Sequence, residues 1–260
     1  MDLIHASDVI RRIEGYFLGG QVRFLTPAES DAVRRFRSVR HPDAPKQPDP
    51  NHQPPMVEVP AARLCVLTVC DEGMGEVGEE TIPLMEAYAH RHGFHFECVR
   101  ERLVRDRHPA WSKIVALLPL LESGRFDWVF WVDADAAILN PAIDIRSLLP
   151  AGKDLLFASD FNGLCAGVFA ARACPWTIDF FRAVWGAGTL GHDPDGMGDK
   201  WEQTTIKHLL AHFPEHSPHV AFARDTDMNS SWSAYRPGHF IVHLGAMSNA
   251  DRLRMLRGIQ

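Results

Sequence analysis

With 260 residues the chain has room for one large α/β domain, or for one domain with an appendage. Apolar residues make up 46% and charged residues 23%, an ordinary globular mixture that excludes wholesale disorder. The net charge of −6 argues against a nucleic-acid partner, because neutralising phosphates takes a clustered excess of Lys and Arg. The run Arg34, Arg35, Arg37 and Arg40 is diluted by acidic neighbours and reads as a solvated helix face.

The first 40 residues suggest two short helices, one around Ser7–Tyr16 and one opening at the cap signal Pro27-Ala28-Glu29-Ser30. Residues 41–60 contain seven prolines and can form neither helix nor central strand, so an extended linker or arm is expected. The N-terminus lacks the charged start and unbroken apolar stretch of a signal peptide. No apolar run approaches the ~20 residues of a membrane helix. The five cysteines form no CxxC pair, and Cys65 and Cys98 lie in apolar runs. Together these features lead us to expect a soluble, cytoplasmic protein without disulfides. The expected organisation is an extension over 1–60, one domain over 61–248 and a C-terminal helix over 249–260.

From Arg63 onward, strands and helices alternate. LCVLTVC (64–70) is a buried strand, residues 79–92 an amphipathic helix stopped by Gly93, and FHFECV (94–99) a second strand. WSKIVALLPLLES (111–123) is helical, and DWVFWVD (127–133) is apolar enough to be buried on both faces. Strands follow at 154–160 and 166–171, helices near 175–185 and 200–213, and HFIVHL (239–244) closes the series. This rhythm predicts an α/β fold, a mostly parallel sheet flanked by helices. Ligands of such sheets sit beyond the carboxyl ends of the strands, which places Asp71, Asp133, Asp135 and His243 on one rim.

The sharpest chemical signal is FDWVFWVDADAAILNP (126–141), where an aromatic-rich strand runs directly into Asp133-Ala134-Asp135. Two carboxylates at the end of a buried strand are costly unless a cation or donors compensate them. Hard oxygens flanking a small residue suit Mg²⁺ or Mn²⁺, with positions left open for phosphate oxygens. The alternative is a pair of turn or cap aspartates. By the same logic, losing one carboxylate should relieve repulsion in the metal-free chain. His243, followed by Gly245, could complete the site, and a nitrogen ligand tilts the preference toward Mn²⁺. A structural histidine is the competing reading.

Three other patterns need weighing. Gly73-x-Gly75-x-x-Gly78, with Glu97 about twenty residues on, resembles a dinucleotide fingerprint. Against it, three residues separate strand and first glycine, and Asp71, Glu72, Glu76, Glu79 and Glu80 would repel a pyrophosphate. His208 and His212 have metal-gripping i, i+4 spacing but no evident third ligand, so a polar helix face is expected. Glu202-Gln203 opens a helix, where it either complements the helix dipole or faces a reacting sugar; spacing does not decide.

Eight segments, in order, resemble glycosyltransferase family 34, the retaining GT-A enzymes. They run from LTVCDEG, EAYAHRHGFHF, PAWSKIVALLPLL and FDWVFWVDADAAILNP through SDFNGLCAGVFAARACPWTIDFF, WEQTTIKHLL and DMNSSW to HFIVHLGA. The resemblance covers residues from about Arg63 to Leu244. It implies a GT-A fold, a Rossmann-like nucleotide-diphospho-sugar transferase with a mixed, mostly parallel sheet.

It further implies that Asp133, Asp135 and His243 hold Mn²⁺ or Mg²⁺, and that Thr68, Cys70, Asp71, Lys113, Ala134 and Asn162 contact the donor. Asp160, Glu202 and Gln203 would surround the transferring sugar as catalytic groups. The implied donor is a nucleotide diphosphate sugar, UDP- rather than GDP-linked and galactose-type, with retention at the anomeric carbon. The acceptor would be a saccharide, a lipid-linked sugar or a small molecule. Two departures stand out: a Pro-rich extension where the family usually has a membrane anchor and stem, and Leu244-Gly245-Ala246-Met247 after the histidine. The competing classes are a nucleotidyltransferase with the same acidic pair and a silent sugar-nucleotide-binding protein.

Overall fold

The computed structural model describes residues 62–160, 163–188, 201–224 and 226–259. The helices and Pro-rich arm expected over 1–60, and Asn162, lie outside the described residues.

Strand β1 (Leu64–Val69) and strand β3 (Trp128–Val132) show why this sequence layers as it does. Side chains alternate across a strand, so each strand feeds two cores. Leu67, Val129 and Trp131 join one cluster, whereas Leu64, Val66, Trp128, Phe130 and Val132 join the other. Helix α1 (Gly75–His92) covers the second face with Met85, Tyr88 and Ala89. Helices α2 (Ser112–Glu122), α3 (Pro175–Gly188) and α4 (Glu202–His212) cover the first with Ile114, Leu117, Phe180, Phe181, Ile206 and Leu209. Each large apolar side chain buried in this way contributes about 1.5–3 kcal/mol. Helix α1 ends where expected. Gly93 adopts φ 68°, and its N–H bonds the carbonyls of Ala89 and His90.

The main sheet has six strands in the order β2-β1-β3-β6-β5-β7, with β2 His95–Val99, β5 Leu155–Asp160, β6 Gly163–Arg172 and β7 Val220–Phe222. β1 pairs in parallel with β2 and β3, and β5 with β7; β6 runs antiparallel to both of its neighbours. Only two residues separate β5 from β6, enough for a hairpin and far too few for a parallel crossover. The sheet is therefore mixed and mostly parallel, with one reversed strand in its middle.

A second sheet, β4-β9-β8, comprises β4 (Ala136–Ile138), β9 (Ile241–His243) and β8 (Ser230–Ser231). The strand expected at 239–244 thus belongs to this small sheet, where it pairs with β4 across Ala136 and His243. Helix α5 (Asn249–Ile259) packs Leu253 and Leu256 with Val77, Ala137, Val242 and Leu244.

The glycine pattern after β1 has a packing cause. Gly73 lies in a 3-10 turn, while Gly75 and Gly78 are inside α1 itself. A Cβ on Gly78 would stand 2.3 Å from Cys70 Sγ, so the glycine lets helix and strand approach. The helix begins four residues before the predicted start, and no glycine-rich phosphate turn forms.

Candidate functional site

The aspartate pair sits on a turn tied down from several sides. Asp133 N donates to Gly167 O at 2.8 Å, and Ala136 N to Asp133 O at 2.9 Å. Leu244 N donates to Asp135 O at 3.0 Å, and the buried Thr81 hydroxyl donates to Ala134 O at 2.6 Å. This is how three residues joining the two sheets acquire one fixed geometry.

His243, the last residue of β9, faces that turn. Its ring lies against the backbone of Gly167, where a Cβ would come within 2.2 Å of Cε1. Gly245 flanks the ring as well, its hypothetical Cβ 3.3 Å from Nε2. His243 Nε2 stands 3.2 Å from Asp135 Oδ1 and 3.9 Å from Asp133 Oδ2. Nδ1 rests 3.4 Å from Cys165 Sγ. The remaining carboxylate oxygens are held elsewhere. Asp133 Oδ1 accepts from Trp131 Nε1 at 2.7 Å and lies 3.2 Å from Lys113 Nζ. Asp135 Oδ2 lies 2.7 Å from Arg252 Nη2.

The electrostatics split the pair. Burial and the neighbouring Asp135 push the Asp133 carboxyl up, against the pull of Lys113. Asp135 is also penalised by burial, but His243 and Arg252 outweigh that and hold it at about 2. Burial disfavours the charged imidazole of His243, yet the contact with Asp135 raises it well above the ordinary value. One ligand atom from each of Asp133, Asp135 and His243 falls within 4.8 Å of the others. Neighbouring ligands of a six-coordinate cation with bonds of about 2.1 Å lie about 3 Å apart, so modest side-chain adjustment closes the set. Two oxygens and one imidazole nitrogen around a glycine cradle fit Mn²⁺ or Mg²⁺. It is the one three-residue group of this kind among the described residues.

A second cluster adjoins the first. Lys113, buried near the start of α2, donates to Ala166 O at 2.6 Å and to Glu202 Oε1 at 2.7 Å, besides facing Asp133. Burial opposes its charge, but Asp133 and Glu202 hold it protonated above the ordinary lysine range. Glu202 is buried at the first position of α4, and its Oε2 has no hydrogen-bond partner among the described residues. Gln203 Oε1 accepts from Ala166 N at 2.8 Å. Lys113 therefore reaches the site as a bridge between two carboxylates.

The structure thus gathers Asp133, Asp135, His243, Lys113, Glu202 and Gln203. Asp160 ends β5, and Asp71 caps the 3-10 turn by accepting from Gly73 N at 3.0 Å. Thr68 is fully buried, its hydroxyl unpartnered among the described residues. Cys70 and Ala134 pack with Ile82 in a small apolar cluster, and burial pushes the Cys70 thiol up. His208 and His212 lie side by side with their rings tilted and centroids 4.1 Å apart, outside the ligand group. Sequence reasoning missed Thr81, Cys165, Gly167 and Arg252. Gly167 alone carried a legible signal, since a glycine inside a strand marks close approach.

Residues 81–155 match the sequence profile of the galactosyl transferase GMA12/MNN10 family. An uncharacterised alpha-1,2-galactosyltransferase of Schizosaccharomyces pombe is 25% identical, over 60% of this chain and 52% of that protein. A probable glycosyltransferase 6 of Oryza sativa subsp. japonica is 30% identical, over 40% of this chain and 26% of the relative. The chain thus spans about half the length of the yeast relative and about a quarter of the rice one. Among solved structures, a glycosyltransferase involved in glycosylation of the major capsid of PBCV-1 superposes with a TM-score of 0.64. That match, at 16% identity, covers 75% of this chain and 99% of the other, and establishes the shared fold. Over residues 81–155 the chain thus resembles the galactosyl transferase GMA12/MNN10 family, and its described domain carries a GT-A fold.

Proposed function

We propose that the chain transfers a sugar from a nucleotide diphosphate donor to an acceptor hydroxyl, with a divalent cation held by Asp133, Asp135 and His243. The observation that carries this reading is the gathering of Asp133, Asp135 and His243 with one ligand atom of each within 4.8 Å of the others, while Asp133 Oδ1 and Asp135 Oδ2 are tied back. When bound, the cation neutralises charge on the departing nucleoside diphosphate. The chain's own groups do the rest. Trp131 and Lys113 fix Asp133, and Gly167 fixes the plane of the His243 ring. Glu202, held by Lys113 through Oε1, keeps its other carboxylate oxygen, unpartnered among the described residues, beside the aspartate pair, suited to stabilising positive charge at the anomeric carbon.

The finer reading is a UDP-linked, galactose-type donor with Mn²⁺ and retention of configuration. Galactose is supported by the family description and the yeast relative's name. Mn²⁺ is supported by the imidazole in the ligand set. Retention is supported by Gln203, an amide that cannot act as a base and whose oxygen accepts from Ala166 N, and by the pairing of one Glu202 oxygen with Lys113. Attack would then come from the face the diphosphate leaves, with a donor phosphate oxygen taking the proton. A cytoplasmic place of action belongs to the same proposal. It is supported by five free cysteines and by the lack of any described helix long and apolar enough to cross a membrane.

The test is incubation with UDP- and GDP-sugars and simple saccharide acceptors, with and without Mn²⁺. Release of nucleoside diphosphate that requires the cation, with an α-linked product by proton NMR from an α-linked donor, is expected. Release of pyrophosphate would point to nucleotidyl transfer, binding without turnover to a silent sugar-nucleotide receptor, and a β-linked product to inversion.

A further inference from the structure

Each aspartate of the pair has one oxygen facing His243 and one facing a cation. For Asp133 the cation is Lys113, whose segment resembles the family's pattern. For Asp135 it is Arg252, which lies beyond every segment that carried the resemblance. Arg252 is well secured. Its Nε donates to Leu244 O at 3.1 Å and its Nη1 to Asn249 Oδ1 at 2.8 Å. Its Nη1 also lies 3.9 Å from Met74 Sδ, and its Nη2 lies 2.7 Å from Asp135 Oδ2. Asn249 in turn donates to Gly73 O at 2.8 Å, and Arg257 reaches Glu80 at 3.0 Å. Helix α5 is therefore fastened both to the segment after β1 and to the Asp135 carboxylate. A planar guanidinium, with donors in a rigid fork, can serve these partners together; an ammonium on a flexible stem cannot.

Resting on the metal reading above, we propose that Arg252 is a positioning residue for the cation: holding Asp135 Oδ2 from α5, it keeps Oδ1 turned to His243 Nε2 and makes the C-terminal helix part of the metal centre. Asp135 is then a one-oxygen ligand, its second oxygen already engaged, just as Asp133 Oδ1 is engaged by Trp131 and Lys113. Ligand carboxylates depend on such outer partners for orientation.

Charge and orientation predict opposite signs. Removing a cation next to a metal site should by Coulomb attraction alone tighten metal binding. Loss of orientation should weaken it. The full-length chain and its Arg252→Met, Arg252→Lys and Asn249→Ala variants are titrated with Mn²⁺, alone and with UDP. Electron paramagnetic resonance of free and bound Mn²⁺ is the readout, and circular dichroism checks the fold. We expect Arg252→Met to weaken Mn²⁺ binding about 10–100-fold. Arg252→Lys should recover part of the loss, and Asn249→Ala should move affinity the same way by a smaller factor. Unchanged or tighter Mn²⁺ binding by folded Arg252→Met overturns the positioning role while leaving the metal reading intact. A wild-type chain that binds no Mn²⁺ in either arm overturns the metal reading, and the positioning role with it. Should Arg252→Met fail to fold, the Arg252→Lys and Asn249→Ala pair decides: weaker binding by both supports the role, and wild-type affinity in both overturns it.

Discussion

The two sheets are built by different means. The six-stranded sheet is built around the apolar strands β1, β3 and β6, which are buried on both faces. The three-stranded sheet consists of strands of three, two and three residues, too short to stand alone. Its contribution is placement: β4 follows directly from the aspartate turn, and β9 delivers His243 opposite it. The comparison teaches that this fold obtains rigidity from one sheet and chemistry from the seam between two. Cys165, Ala166 and Gly167 of β6 form the scaffold side of that seam. They touch His243, Lys113 and Gln203, and Asp133 respectively.

Substitutions at the seam should therefore act on the site out of proportion to their size. The largest effect is expected for Asp135→Ala, which removes a proposed ligand and should abolish cation-dependent transfer. Its stability effect reverses the expectation drawn from sequence. Arg252 and His243 lose a buried partner, so unfolding by denaturant should show a loss on the order of 1–3 kcal/mol rather than relief of repulsion. A melt equal to or above wild type would refute that. Next comes Gly167→Ala, a single methyl on the scaffold side. With 2.2 Å to the His243 ring, ring or strand must shift; Mn²⁺ binding should be lost, at a cost of about 1–3 kcal/mol from overpacking. Retained Mn²⁺ affinity in that variant would show that the seam is softer than the geometry implies.

A smaller effect is expected from Thr81→Val, which keeps shape but deletes the hydroxyl bonded to Ala134 O. The cost should be about 1 kcal/mol in chemical denaturation, with a modest fall in Mn²⁺ affinity. The smallest should come from Asp127→Asn, just before β3 and away from the seam. Bonds from the Arg63 side chain and backbone hold Asp127 below the usual carboxylate range. The stabilisation is thus present above the ordinary carboxylate pKa and disappears as pH falls through the lowered value. Stability curves of wild type and Asp127→Asn should differ slightly at neutral pH and converge in acid, with transfer unaffected. A gap that widens in acid would contradict the sign.

Much of the scaffold could be read directly. β1, β3 and the helices between them announce themselves through long apolar runs, and Gly93 marks a helix end by chemistry alone. The aspartate pair was legible because charge at the end of a buried strand demands compensation. What escaped notice was short or distant. Strands of two or three residues, such as Ser230–Ser231, carry no detectable period. The reversal of β6 depends on a two-residue connection rather than on its composition, which suits either direction. Arg252 looked like any solvated helix arginine, because its partner lies more than a hundred positions away in sequence. Cys70 and Ala134 sit inside family-like segments, yet both side chains are packed under α1.

The pairing of β4 with β9 has a topological consequence. It closes a long excursion of the chain, running through β5, β6, α3, α4, β7 and β8, with a short ladder and no covalent bond. In this chain the five cysteines are free, so no sulfur bridge reinforces that closure. A cation shared by Asp133, Asp135 and His243 would act there as a reversible clasp on the loop. Its occupancy would then govern how firmly everything after Phe222 is moored, as well as whether the centre is competent.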